Sequence, residues 1–480
     1  MSESLKNKTI RGVTWSLIDN IANSGITFLV GLILARLLTP AEYGIMAMIA
    51  IFIAISTSII DSGFSNALIR KNEVRKIDYD TVFYFNLVVS SILYIFLYLV
   101  SPAISSFFKE PVLIEVTRVI SWILIINALG IIPRTIFIIN VDFKVQTKAS
   151  LISSLVSGII GISMALFGLG VWSLVGQQLS RQLLNTFFLW FYCHWRPAWE
   201  FSIGSFKEMF GFGSKLLVSG LIDTIYKNIY YIVIGRFYNP DQLGQYTRAE
   251  QFKLIFSSNL TAVVQRVSYP VLSSIQSEPV RLREAYRRVI KLTMIVTFAC
   301  MLGLAAIAKP LIILLIGEKW LPAVPFLQII CFSGMLYPLH AINLNILQVK
   351  GRSDLYLKLE IIKKIIAVIT IFVGIFWGIE CMLWGGVFVS FISFFLNSYY
   401  SADLIYSTKN QISDIFPFLI ISLIVSFCIW LVSFTEWSYI IILIIQIIVG
   451  IGLYWFVSEK LPIQEYQEVR QLVFSLFRKK

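Results

Sequence analysis

Long apolar runs separated by short polar corners make up most of the chain. Residues 440–457, IIILIIQIIVGIGLYWFV, are about as long as a bilayer is thick, since ~20 helical residues at ~1.5 Å each cross it. Nowhere does the pattern alternate with period two, the signature of a membrane barrel. Apolar length and loop chemistry predict about fourteen helical spans, from residues 12–38 through to 437–457. The corner ARLLTPAEYG at residues 35–44 returns as GRFYNPDQLG at 235–244. Arg36, Pro40 and Gly44 thus recur as Arg236, Pro240 and Gly244, and an even number of crossings separates the copies. The expected fold is an all-α polytopic membrane protein with two parallel six-helix lobes around a central cavity and two C-terminal helices. The boundaries expected are a first lobe at 1–193, a cytoplasmic linker at 194–206, a second lobe at 207–405, appended helices at 406–457, and a cytoplasmic amphipathic tail at 458–480.

Composition agrees. Charged residues are 14% of the chain and hydrophobic ones 57%, against roughly 25% charged in a soluble domain. The net charge of +13 is placed topologically. Cations gather in alternate connections: Lys6, Lys8 and Arg11; Arg70 to Lys76; Arg281 to Lys291; Lys350 to Lys364; and the terminal Arg478-Lys479-Lys480. The corners around Pro40, Gly168, Pro240, Gly378 and Glu436 carry few. This asymmetry predicts a multi-pass membrane protein with both termini in the cytoplasm, and no nucleic-acid partner. The polar, basic start predicts no cleavable signal peptide. Five scattered cysteines lack metal spacing and read as packing residues.

Ionisable groups at membrane depth are costly and face a cavity or a partner. In the first lobe these are Asp19, Asn20 and Asn23, Asp61, Ser65 and Asn66, and Arg134 and Arg181. Asp19/Asn23 and Asp61/Ser65 are i,i+4 pairs on shared helix faces. In the second, Asp223, Tyr226, Lys227 and Tyr230 form a stripe. The next span is the least apolar, with Arg248, Lys253, Asn259 and Arg266. The expected substrate cavity is Arg248, Lys253, Arg266, Lys227, Asn259, Tyr226, Tyr230 and Arg134, cations suited to an anionic passenger. Asp19, Asp61 and Asp223 are the candidates for ion coupling. Two histidines, His194 and His340, make no zinc cluster. No nucleotide-binding, hydrolase or metalloprotease motif occurs. The expectation is a non-enzyme without cofactor or metal, acting as a monomer.

The segments TIRGVTWSLID, ARLLTPAEYG, DSGFSNALIR and GLGVWSLVGQQL, in that order, resemble the polysaccharide transporter branch of the multidrug/oligosaccharidyl-lipid/polysaccharide exporter superfamily. O-antigen and colanic-acid-type flippases are especially similar. The resemblance implies two six-helix lobes and two extra helices. It implies transport of undecaprenyl-pyrophosphate-linked oligosaccharide from the cytoplasmic to the periplasmic leaflet by alternating access, for O-antigen, capsule or exopolysaccharide synthesis. Its implied partners are the lipid-linked oligosaccharide, membrane lipids and polysaccharide polymerase machinery. An ion-coupled multidrug antiporter is the nearest alternative; a membrane-embedded glycan polymerase or ligase is the alternative of another class, though it would need a large extracytoplasmic loop that the sequence lacks.

Overall fold

The computed structural model describes residues 2–61, 63–71, 73–402, 406–460 and 465–467. The described residues are helical throughout, joined by short corners, with no strand among them. They divide into two compact units, residues 1–244 and 245–480.

In the first unit α1 (Ser2–Leu37) and α2 (Pro40–Asp61) form the opening pair, and α3 (Phe64–Arg70) follows after Gly63 at φ 71°. Then come α4 (Lys76–Phe108), α5 (Leu113–Ile120), α6 (Trp122–Ile139), α7 (Phe143–Leu166), α8 (Val171–Tyr192) and α9 (Ile203–Phe237), with α10 (Pro240–Ser274) beginning in this unit. Two prolines sit inside these helices without breaking them. Pro133 cannot donate to the carbonyl of Leu129, and that oxygen accepts from the Trp190 indole N–H at 2.8 Å instead. Pro102 leaves the Tyr98 carbonyl free, and the Ser101 hydroxyl donates to it at 2.8 Å.

Small residues let the helices approach closely. α7 buries Ser153, Ser154, Ser157, Gly158 and Gly161. A Cβ on Gly158 would lie 2.5 Å from Val30 of α1, and one on Gly161 would lie 2.9 Å from Gln177 of α8. The repeated corners meet one another. A Cβ on Gly44 would lie 1.8 Å from the Pro240 carbonyl oxygen, and one on Gly244 would lie 1.8 Å from the Pro40 oxygen. Each helix starts on its proline, where no intrahelical N–H bond is lost.

The polar connection between α8 and α9 is packed onto α4. Trp195 lies edge-on to Phe83, Trp199 stacks on Tyr84 at 5.4 Å, and Ser202 N–H donates to the Thr81 hydroxyl at 3.0 Å. Nearby, Lys71 bridges the fully buried Asp78 at 3.2 Å and Glu208 of α9 at 3.0 Å.

The second unit is built on the 38-residue α11 (Pro279–Ile316), with α12 (Ala323–Gly334), α13 (Tyr337–Val349), α14 (Ser353–Trp377), α15 (Ile379–Ala402), α16 (Thr408–Leu431) and α17 (Tyr439–Lys460). α16 and α17, expected as appendages, pack along α11. Arg287 Nη2 donates to Asp414 at 2.6 Å, while Lys291 lies 3.7 Å from Asp414 and 2.9 Å from Glu465. Residues 458–460 and 465–467, among them Glu465 and the buried Tyr466, are the described part of the expected amphipathic tail. Its remaining apolar and basic positions, Leu461, Val469, Leu472, Val473, Leu476, Phe477 and Arg478 to Lys480, lie outside the described residues.

Eleven helical segments among the described residues are long and apolar enough to cross a membrane. The three remaining rods of comparable length are α8, α10 and α14, and each carries the polar or charged residues that set it apart.

Candidate functional site

A polar cavity of about 550 Å³ lies inside the first unit, walled by α1, α6, α7 and α8. Its geometry follows from helical spacing. Asp19 and Asn23 stand four residues apart on α1, and Ser150 and Ser154 stand four apart on α7, so the two pairs meet in register. The Ser150 hydroxyl donates to Asp19, and the Ser154 hydroxyl donates to the Asn23 side-chain oxygen. α8 contributes Gln178, Arg181, Gln182 and Asn185. These positions i, i+3, i+4 and i+7 form one continuous polar face, which is why α8 falls short as a purely apolar span.

The two arginines of this cavity are held differently. Arg181 donates from Nη2 to Asn23 Oδ1 at 3.1 Å, and Asp19 is the carboxylate whose field acts on it. The Arg134 guanidinium makes no hydrogen bond or ion pair among the described residues; it experiences only the field of Asp61 on α2. Asp61 itself accepts from the Ser65 hydroxyl at 2.6 Å, the i,i+4 pairing that the sequence suggested. Gln182 is fixed by donating to Asn127 at 3.0 Å. Two arginines and one aspartate stand in its wall, and Asp61 acts on Arg134 from α2 beyond it, so each arginine has one carboxylate in its field.

Of the residues singled out from the sequence, Asp19, Asn23, Arg134 and Arg181 line this cavity. The amides of α8 were missed, although their i, i+3, i+4, i+7 polar stripe was there to read. The other candidates occupy α1 (Asn20), α2 (Asp61), α3 (Ser65 and Asn66), α9 and α10. Lys227 pairs with Asp223 at 2.7 Å on an exposed face of α9, where Tyr226 and Tyr230 are half-buried. Arg248, only 6% exposed, donates to Gln251 and lies over the Trp320 ring at 5.7 Å. Lys253 is 3.8 Å from Glu250. Asn259 and Arg266 are exposed, and the Asn259 amide donates to the Ile255 carbonyl of its own helix at 2.8 Å. His340 is half-buried, with Nε2 3.0 Å from the Ser390 hydroxyl.

The family model described as "Polysaccharide biosynthesis protein" matches residues 33–325, more than half of the chain and parts of both units. The chain belongs to this polysaccharide biosynthesis family. It is 26% identical over 355 residues to the teichuronic acid biosynthesis protein TuaB of Bacillus subtilis (strain 168), covering 73% of each chain. To the lipopolysaccharide biosynthesis protein WzxC of Escherichia coli (strain K12) it is 23% identical, over 77% of this chain and 76% of that one. The succinoglycan biosynthesis transport protein ExoT of Rhizobium meliloti (strain 1021) shares 24% identity over 70% and 69% of the respective chains.

Among solved structures, the lipid II flippase MurJ in an inward closed conformation superposes with a TM-score of 0.75 at 16% identity, over 97% of this chain and 100% of that chain. An inward-facing multidrug resistance MATE family transporter of the MOP superfamily gives 0.63 at 16% identity, over 79% and 95%. At these identities the likeness concerns the fold: this family member has the helical architecture that MurJ and the MATE transporter share.

Proposed function

We propose that the protein is a carrier that moves lipid-linked oligosaccharide from the cytoplasmic to the outer leaflet during surface polysaccharide synthesis. The observation that carries this reading is the polar, arginine-lined cavity held inside a membrane-embedded helical unit. A space lined by arginine, amides and hydroxyls is costly there unless a polar headgroup uses it. The family's role in polysaccharide biosynthesis, and the transport and flippase functions in the names of ExoT and MurJ, support the same reading.

Several finer points belong to the proposal. All fourteen rods cross the membrane, with both termini in the cytoplasm and the repeats at 1–193 and 207–405 working as lobes in alternating access. A monomer suffices, and the delivered glycan passes to polymerase machinery. Lys227, Lys253, Asn259, Arg266, Tyr226 and Tyr230 contact the pyrophosphate and sugars, and Asp61 or Asp223 serves the coupling ion.

The test is the sidedness of lipid-linked oligosaccharide in spheroplasts with and without the protein, read with a membrane-impermeant glycan probe. Deletion should deplete the outer-leaflet glycan and enlarge the inner pool. An unchanged distribution sinks the carrier proposal for that glycan, and a drug-sensitivity phenotype in its place would favour an antiporter.

A further inference from the structure

The segment DSGFSNALIR, residues 61–70, supplies no residue to the cavity wall, yet its short helix α3 meets the start of α9. Gly63 stands at φ 71°, and a Cβ there would lie 3.1 Å from the Gly213 carbonyl oxygen and 3.0 Å from the Leu216 Cβ. A residue without a side chain lets the two backbones come this close. Phe64 packs on Phe206 at 5.9 Å, and Phe206 on Phe85 of α4 at 5.1 Å. Beside these rings Lys71 reaches two carboxylates, Asp78 of α4 and Glu208 of α9.

The two carboxylates are not equivalent. Asp78 is fully buried, and removing its cation would leave a charge uncompensated in the interior. The Glu208 side chain is 62% exposed, so water screens its bond to Lys71 and can replace it. Lys71 is thus held firmly by α4 and lightly by α9. The start of α9 is also built to yield. A Cβ on Gly211 would meet no atom within 4 Å, so no packing demands this glycine, and it weakens the helix relative to alanine. The far end of α9 is tight by comparison, since a Cβ on Gly235 would lie 2.9 Å from the Phe108 ring.

We infer that, in the carrier proposed above, Lys71 is a latch at the cytoplasmic ends of α3, α4 and α9. It bridges Asp78 to Glu208 while those ends are closed, and it stays on Asp78 when α9 swings away to admit substrate. The moving partner is the exposed one, so opening strands no charge in the interior. The latch rests on the alternating access of the proposed function, in which α9 opens the second repeat.

A reversible lock tests the motion. With the five native cysteines replaced, Gly63→Cys and Leu216→Cys bring two Cβ atoms close to disulfide range. Transport of lipid-linked oligosaccharide in proteoliposomes is measured with the pair oxidised and again after dithiothreitol, mass spectrometry confirming the bond. Oxidation should stop transport and reduction should restore it; the reduced form, which shares any strain at residue 63, is the reference. Equal transport in both states means that the contact never opens, and overturns the latch.

A second measurement reads the ion pair without transport. Ser205, 3% exposed and facing Asp78, is replaced by the near-isosteric cysteine, whose maleimide labelling reports how often α9 lifts. Glu208→Gln should raise that rate about two- to fivefold, the scale of one exposed ion pair, and leave thermal unfolding in detergent unchanged. Lys71→Gln should lower the melting temperature, and adding Asp78→Asn should recover it, because the orphaned charge is then gone. An unchanged labelling rate in Glu208→Gln overturns the latch even where the cysteine pair fails to fold. If the wild type moves no glycan while labelling responds as stated, the carrier reading fails and the ion-pair latch stands.

Discussion

At the scale of single residues, the first unit's cavity turns on Asn23, whose side-chain oxygen receives both Ser154 and Arg181. Half of this arrangement was legible. The i,i+4 spacing of Asp19 and Asn23 is a local property, so one helix face could be drawn from the sequence. Their partners Ser150 and Ser154 lie 131 residues away, and serine carries no pattern that marks it as cavity-lining rather than packing. Charge counting led instead to α10, where burial separates residues that composition treats alike. Arg248 is packed over Trp320 and bonded to Gln251, whereas Arg266 is exposed. Arg248→Gln should therefore lower folding stability by about 1–3 kcal/mol, from the loss of a charge-assisted hydrogen bond and a cation–π contact. Arg266→Gln should stay within about 0.5 kcal/mol of wild type, as for ordinary surface changes. Thermal unfolding in detergent checks both. Full stability of Arg248→Gln together with lost transport would return Arg248 to the substrate contacts.

At the scale of elements, apolar length located the helices well but missed their interruptions. The span predicted at residues 113–140 is broken at Ser121, whose hydroxyl bonds back to the Thr117 carbonyl, a competition with the helix that many serines never enter. The one predicted at 321–349 breaks at Met335–Leu336, just before Pro338, which cannot donate to the carbonyl four residues earlier. The repeated corner was legible as a repeat, but the reason for its glycines was not: both are inside helices, each against the other corner's proline carbonyl. That reverses the usual sign of a substitution. Glycine to alanine inside a helix ordinarily stabilises by up to about 1 kcal/mol. Gly44→Ala and Gly244→Ala should each destabilise by about 1–3 kcal/mol, because a Cβ 1.8 Å from a backbone oxygen forces the corners apart. Gly25→Ala in α1, with no atom within 4 Å of the added carbon, is the control and should be neutral or stabilising. Equal melting temperatures for all three variants would remove the corner contact from the account of stability.

At the scale of the whole molecule, the question is how many rods cross the membrane. α8 has 22 residues, about 33 Å at ~1.5 Å per residue, enough for a hydrocarbon core of ~30 Å. It packs along α7, which is itself apolar enough to span. Its polar face is turned to the cavity, so mean apolarity understates its capacity to cross; a helix that lines a cavity is exempt from the demand for an all-apolar surface. α10, with its row of cations, and α14, with Glu360, Lys363 and Lys364 in its N-terminal half, need the same allowance if they are to cross. The two counts make opposite predictions at one residue. With an inside N-terminus and fourteen crossings, α15 is the twelfth span and starts outside; with eleven, it is the ninth and starts in the cytoplasm. Cys381 lies in the first turn of α15 and is exposed. In a variant retaining only this cysteine, a membrane-impermeant maleimide added to intact cells should label the protein under the fourteen-span topology. Labelling only after the membrane is opened would require one or all three of these rods to lie on one side, and would place the C-terminus outside the cell. The basic residues at 478–480 argue against that outcome, since cations flanking a span are retained in the cytoplasm.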